Sequence, residues 1–299
     1  MSSRPEPLNL HGTTLTRRQF LALTTSGAAS LWAAQSIPAA EPSPPAARGL
    51  RLSTSSIHFK DLTIEQACAR IARLGFEAID IWGAYDNCRH LDDALSRLDF
   101  DGLLQLLAKH RLKLCGFSTY VGGYPKYATL LGKAGGGVAV QGSAPPCKPE
   151  LLTTQMRAFL DSLKPLVELA EKNNSYLAIE NHGQALLDSL DSFKAFVEAN
   201  TSPRLGIALA PYHLQAADAS VTDAIRIAGR QLFFFYAWQN QPGLGQLPGH
   251  GPTDFRPWLQ ELAASNYRGY VNPFMHGPPE PELMSTALAK ARDYLKNLV

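Results

Sequence analysis

Residues 177–183 read LAIENHG, an apolar run that closes on a carboxylate, an amide and an imidazole at Glu180, Asn181 and His182. Buried without partners, such groups cost several kcal/mol each, roughly 2 to 7 for a neutral one. They belong at the open end of a strand, where they meet a ligand or a metal. There Glu180 and His182 can move protons near neutral pH, and Asn181 can hold a hydroxyl. The same pattern recurs where other apolar runs end. His58 follows the first run, Asp80, Trp82, Tyr85 and His90 the second, and Ser118, Thr119 and Tyr120 the third. Gln141, then Tyr212 and His213, then Tyr236, Trp238, Gln239 and Asn240, then Asn272 and His276 close later runs, and His250 lies in a loop among them. Of the eight histidines only His11 and His110 fall outside this set. That concentration favours a polar pocket, with Glu180, His182 and His213 as candidate acid/base groups. Trp82, Tyr120, Tyr212, Tyr236 and Trp238 can stack on the apolar face of a sugar ring. Asn181, His250 and His276 can bind its hydroxyls.

These residues need elements to position them. Short apolar runs at 50–55, 76–83, 112–120, 135–143, 175–182, 204–213, 231–238 and 267–274 predict strands. Helical periodicity predicts helices over 64–74, 93–110, 149–173, 187–199, 221–228, 255–264 and 280–298. Eight strands alternating with helices over about 250 residues predict an α/β fold, a single-domain (β/α)8 TIM barrel spanning 50–299. A doubly wound sheet is the alternative. It normally carries a glycine-rich turn after its first strand, and the sequence there is Ser-Ile-His-Phe. In a barrel the loops after the strands carry the chemistry, so the polar residues above converge at one end.

The N-terminus reads differently. Thr16-Arg17-Arg18-Gln19-Phe20-Leu21 and the Ala/Ser/Thr-rich run after it predict a twin-arginine signal peptide over 1–40, followed by a Pro-rich linker over 41–49. The expected partner is the twin-arginine translocase, and the expected location is the periplasm or the extracellular space. The apolar run is shorter than the roughly 20 residues of a spanning helix, so no stable membrane span is expected after cleavage. A formal charge of +2 argues against a nucleic-acid footprint. No two of Cys68, Cys88, Cys115 and Cys147 show the close spacing of a zinc or redox pair.

LGFEAIDIWG, LAIENHG, LGIALAPYHL, LPGHGPTDF and YRGYV, in this order, resemble the xylose isomerase-like barrels, which include sugar phosphate isomerases and epimerases and the endonuclease IV group. The resemblance covers about 50–299. It implies one divalent cation held by a Glu after strand five, an Asp after strand six, a His after strand seven and a Glu after strand eight. Such a cation polarises a carbonyl while carboxylates move protons beside it. Glu180 matches the first position, whereas Ala210, Tyr236 and Phe274 stand at the other three. A rebuilt set of Glu180, His182, His213 and His276 would suit Zn²⁺, Mn²⁺ or Fe²⁺ better than Mg²⁺, which prefers oxygen ligands. Three functions follow as alternatives. One is an exported isomerase, epimerase or lyase acting on a small-molecule carbohydrate. Another is a non-catalytic sugar-binding barrel that has lost its metal. The third is a nuclease, disfavoured by charge, export and missing ligands.

Overall fold

The computed structural model describes residues 49–299. The expected signal peptide, and all of the linker but its last residue, lie outside them. Eight parallel strands pair in sequence order: β1 (Ser53–Ser55), β2 (Ala78–Trp82), β3 (Lys113–Ser118), β4 (Val138–Gly142), β5 (Tyr176–Glu180), β6 (Leu205–Leu209), β7 (Leu232–Ala237) and β8 (Val271–Pro273). Leu52 bridges Val271, and the Val271 amide donates to the Arg51 carbonyl at 2.9 Å. First and last strands thereby meet, and the sheet curls into the expected (β/α)8 barrel.

Among the described residues eleven helices cover its outside: α1 (Ile64–Arg73), α2 (His90–Asp93), α3 (Asp99–His110), α4 (Gly123–Lys133), α5 (Leu152–Ser162), α6 (Lys164–Lys172), α7 (Leu190–Ala199), α8 (Pro211–Ala216), α9 (Val221–Ala228), α10 (Arg256–Ala264) and α11 (Pro281–Lys296). Local chemistry sets their starts. Thr63 and Gln66 form a reciprocal cap on α1, the Ser189 hydroxyl accepts from the Ser192 amide on α7, and the Glu280 carboxylate accepts the first amides of α11. Among the described residues no helix is long and apolar enough to cross a membrane.

The period of two along each strand separates two cores. Leu177 and Ile179 of β5, Leu205 and Ile207 of β6 and Phe235 of β7 pack outward under the helices. Ala78, Ala178 and Ala208 point into the barrel, where small side chains leave room for Phe234, Tyr236 and Phe274. At the C-terminal ends of the strands the inward positions turn polar, and the site begins there.

Several expected elements differ from those observed. The Tyr/Gly-rich stretch after β3 is helix α4, whose Tyr124, Tyr127 and Leu131 bury one face. Gly122 and Gly123 at its start, both with positive φ, mask the helical period. The expected helix at 149–173 breaks at Leu163, because Pro165 can enter only the first turn of the next helix. Likewise Pro211 opens α8, so Tyr212 and His213 ride on a short helix rather than on strand six. All four cysteines are free, and Cys68, Cys88 and Cys115 are buried.

Candidate functional site

Inward parity decides which side chains meet. Ser55 of β1, Asp80 of β2, Ser118 of β3, Glu180 of β5, Tyr236 of β7 and Asn272 of β8 are all buried in the upper barrel. The Glu180 carboxylate accepts a 2.6 Å hydrogen bond from the hydroxyl of Tyr120, just beyond β3. The Tyr120 and Tyr236 hydroxyls lie 3.2 Å apart, and Tyr236 and Ser118 3.3 Å apart. Ser118 donates to Asp80 at 3.0 Å. Asp80 also accepts from the Ser55 hydroxyl at 2.9 Å and from the Trp82 indole at 2.6 Å.

Burial disfavours the charged form of both carboxyls. It pushes Glu180 from 4.5 up to about 7; the Tyr120 bond opposes the rise and the Asp80 charge adds to it. Asp80 rises from 3.8 to about 7 for the same first reason, against the pull of its three donors. Tyr120 and Tyr236 are held well above the ordinary tyrosine range, by burial first, so both are neutral hydroxyls.

A cavity of about 540 Å³ opens over Glu180, walled by Trp82, Tyr85, Tyr120, His182 and His276. Among the described residues no lysine or arginine lines it. Its size is that of a small-molecule site. Trp82 stacks on Phe274 at 5.3 Å and 14°, which fixes the indole on the wall.

The site residues expected from sequence fall into three groups. Trp82, Tyr120, Glu180, His182 and His276 line the cavity. A second group stands behind the wall. Tyr236 carries the hydroxyl chain, and Tyr212 stacks on Trp238 at 4.3 Å while the Trp238 indole donates to Gln246. The Asn181 side chain clamps both the amide and the carbonyl of Ala210. His213 packs 4.0 Å from the His182 ring, and burial first, then His182 and His276, lower it to about 3, so it stays neutral. His250 stands apart, its Nε2 facing the Ala287 carbonyl of α11 at 3.1 Å. Two other strand-end histidines hold the scaffold. His58 accepts from the Met275 amide at 3.2 Å and His90 faces the Leu62 carbonyl at 2.8 Å, so the histidine concentration is partly structural. Asp80 and Ser118 are prominent in the site, although from sequence they carry no role beyond strand-end position. Their signal was parity: Asp80 lies two residues from both Ala78 and Trp82, which point inward.

The family model described as "Xylose isomerase-like TIM barrel" matches residues 124–297, more than half of the chain. The chain belongs to that family. Solved structures with the same fold include the 3-keto-D-glucoside 4-epimerase of E. coli, 16% identical with a TM-score of 0.64, covering 82% of this chain and 99% of that one. They also include the D-psicose 3-epimerase of Clostridium cellulolyticum H10 with D-tagatose, 15% identical with a TM-score of 0.66 over 83% and 99%. A probable 3-DHS dehydratase of Bacillus anthracis is 14% identical with a TM-score of 0.64 over 81% and 98%. No curated protein matches the chain.

Against this xylose isomerase-like frame the expected cation set does not assemble. Among the described residues no group of three or more His, Cys, Asp or Glu is placed to hold a metal ion. Glu180, His182, His213 and His276 fail as a set for visible reasons. The Glu180 carboxylate is taken up by Tyr120, His182 turns Nδ1 to the Gly183 carbonyl at 2.8 Å, and His276 packs edge-on against Trp82 and Trp238. Ala210 and Phe274 offer no donor atom, and the Tyr236 hydroxyl is shared between Ser118 and Tyr120. These residues do not fit a divalent cation.

Proposed function

We propose that the protein is an exported sugar isomerase, epimerase or lyase that moves a proton next to a carbonyl, with Glu180 as its acid/base and without the cation its family uses. The observation that carries this is Glu180 itself, a buried carboxyl on the cavity wall, held near neutrality with a tyrosine hydroxyl 2.6 Å away. A general base is most effective when its pKa lies near the working pH, and burial is a common device for raising a carboxyl to that range. Ionised Glu180 takes the proton as the C–H bond breaks, and the electron pair moves into an enediolate. Tyr120 and the His276 imidazole are the donors available to the developing oxyanion.

Sugar is the substrate class on two grounds. The cavity combines an aromatic wall with hydroxyl and imidazole groups, which suits the apolar and polar faces of a sugar ring. Structures of the same fold include epimerases of a keto-glucoside and of psicose. The absence of lysine and arginine from the lining points to an unphosphorylated ligand, because phosphate sites use those residues. The Arg17-Arg18 motif supports export. The test is a panel of aldoses, ketoses and keto-glycosides, scored for both binding and turnover. Turnover that falls away in Glu180→Gln supports the proposal, whereas binding without turnover favours the sugar-binding barrel.

A further inference from the structure

The mechanism above leaves one buried carboxyl without a task. Asp80 is fully buried and lies behind the wall rather than on the cavity, yet it is joined to Glu180 by an unbroken series of hydroxyls. We propose that Asp80 is the second proton-holding group of this site, exchanging one proton with Glu180 along Ser118, Tyr236 and Tyr120. The inference rests on the assignment of Glu180 as acid/base and supplies what that assignment lacks, a place for the proton the base has taken.

The geometry gives the chain a direction and a reversal. With Glu180 protonated, it donates to the Tyr120 oxygen, Tyr120 to Tyr236, Tyr236 to Ser118 and Ser118 to the Asp80 carboxylate. When each hydrogen moves one place along, four O–H bonds break and four form. The net change is one proton carried from Glu180 to Asp80, with every hydroxyl restored and its donor direction reversed. No oxidant, reductant or metal takes part. The end links measure 2.6 and 3.0 Å, within the usual O–H···O range of about 2.5 to 3.0 Å. The middle links, at 3.2 and 3.3 Å, are longer, and proton passage requires them to shorten.

At the Asp80 end hydrogen-bond donors offset part of the cost of burying a charge. Asn272 donates to the Ser55 oxygen at 2.9 Å, which leaves the Ser55 hydrogen directed at Asp80 alongside the Trp82 indole. Asp80 is 0% exposed, and Ser118 and Tyr236 are each 1% exposed, so the hydroxyl chain is its route to the cavity. The other titratable groups nearby are the Cys88 and Cys115 thiols, both raised by burial, and His182 and His276 on the cavity wall. Among the described residues none of them bonds to either carboxylate. Burial raises both carboxyls above the ordinary carboxylate range, so either end can carry the proton.

The test is carboxyl ¹³C NMR on the purified protein, with Asp and Glu labelled and the two signals assigned through Asp80→Asn and Glu180→Gln. In the wild type both carbons should titrate together, each showing the same two macroscopic steps, as a coupled pair does. Tyr236→Phe removes the central hydroxyl and keeps both carboxyls. In that variant the exchange of the proton between the two carbons, read by relaxation dispersion, should be lost, with an unchanged circular dichroism spectrum confirming the fold. Independent titration in the wild type, or an exchange rate unchanged in Tyr236→Phe, would overturn the proposal. The readout needs no substrate. Shared titration with no turnover on the sugar panel would therefore sink the proposed activity and leave the proton exchange standing.

Discussion

Replacing Glu180 by glutamine should stabilise the protein at alkaline pH and leave its stability unchanged in acid. The side chain keeps its volume and an oxygen to accept from Tyr120, but it can no longer ionise. In the wild type the folded carboxyl sits at about 7 against an ordinary 4.5. The folded state therefore prefers the protonated form. The wild type keeps its full stability below pH 4.5, loses it progressively as the pH rises to about 7, and stays at the lower level above that. At 1.36 kcal/mol per tenfold difference in proton affinity, the loss reaches about 3 kcal/mol at pH 8 and is close to zero at pH 4. Glutamine escapes it. Urea unfolding of both proteins at the two pH values reads the difference directly. With a slope of about 3 kcal/mol/M for a domain of this size, the midpoint of Glu180→Gln should lie about 1 M above the wild type at pH 8 and coincide with it at pH 4. An equal difference at both pH values, or a variant less stable than wild type at pH 8, would refute the claim that Glu180 is held against its charge.

Other outcomes follow from the same structure. Tyr120→Phe removes the bond that lowers the Glu180 pKa, so the acid limb of the turnover profile should move to higher pH and turnover should fall roughly tenfold to a hundredfold, as expected for a lost hydrogen bond to a charged group. Gly206→Ala places a methyl 2.5 Å from the Gln231 carbonyl, between β6 and β7, and should lower the melting temperature by several degrees in a thermal scan. Arg17→Lys combined with Arg18→Lys should leave the precursor in the cytoplasm, read by fractionation and immunoblotting.

The barrel was legible because parallel strands buried on both faces read as short apolar runs, and amphipathic helices carry their own period. Glu180 was legible for the converse reason: a carboxylate ending LAIE breaks that pattern. What the sequence hid was partnership across the barrel. Asp80 and Tyr236 are 156 positions apart, and nothing local places either one against Ser118. Tyr236 stood out as a stacking aromatic and as a departure from the family's histidine, whereas in the fold it is the middle of a hydroxyl chain. His58, His90 and His250 looked like site residues because they follow strands. Each meets a backbone amide or carbonyl instead, and a single sequence does not tell a scaffold histidine from a pocket histidine. Helix α4 was hidden by the glycines that start it.

The most direct measurement is solvent deuterium incorporation, followed by NMR, at the carbon beside the carbonyl of a keto-sugar, using protein stripped of metal by a chelator. Exchange catalysed by the stripped wild type and abolished in Glu180→Gln is the expected result. Exchange that requires an added divalent cation, or that persists in Glu180→Gln, would contradict a metal-independent site centred on Glu180.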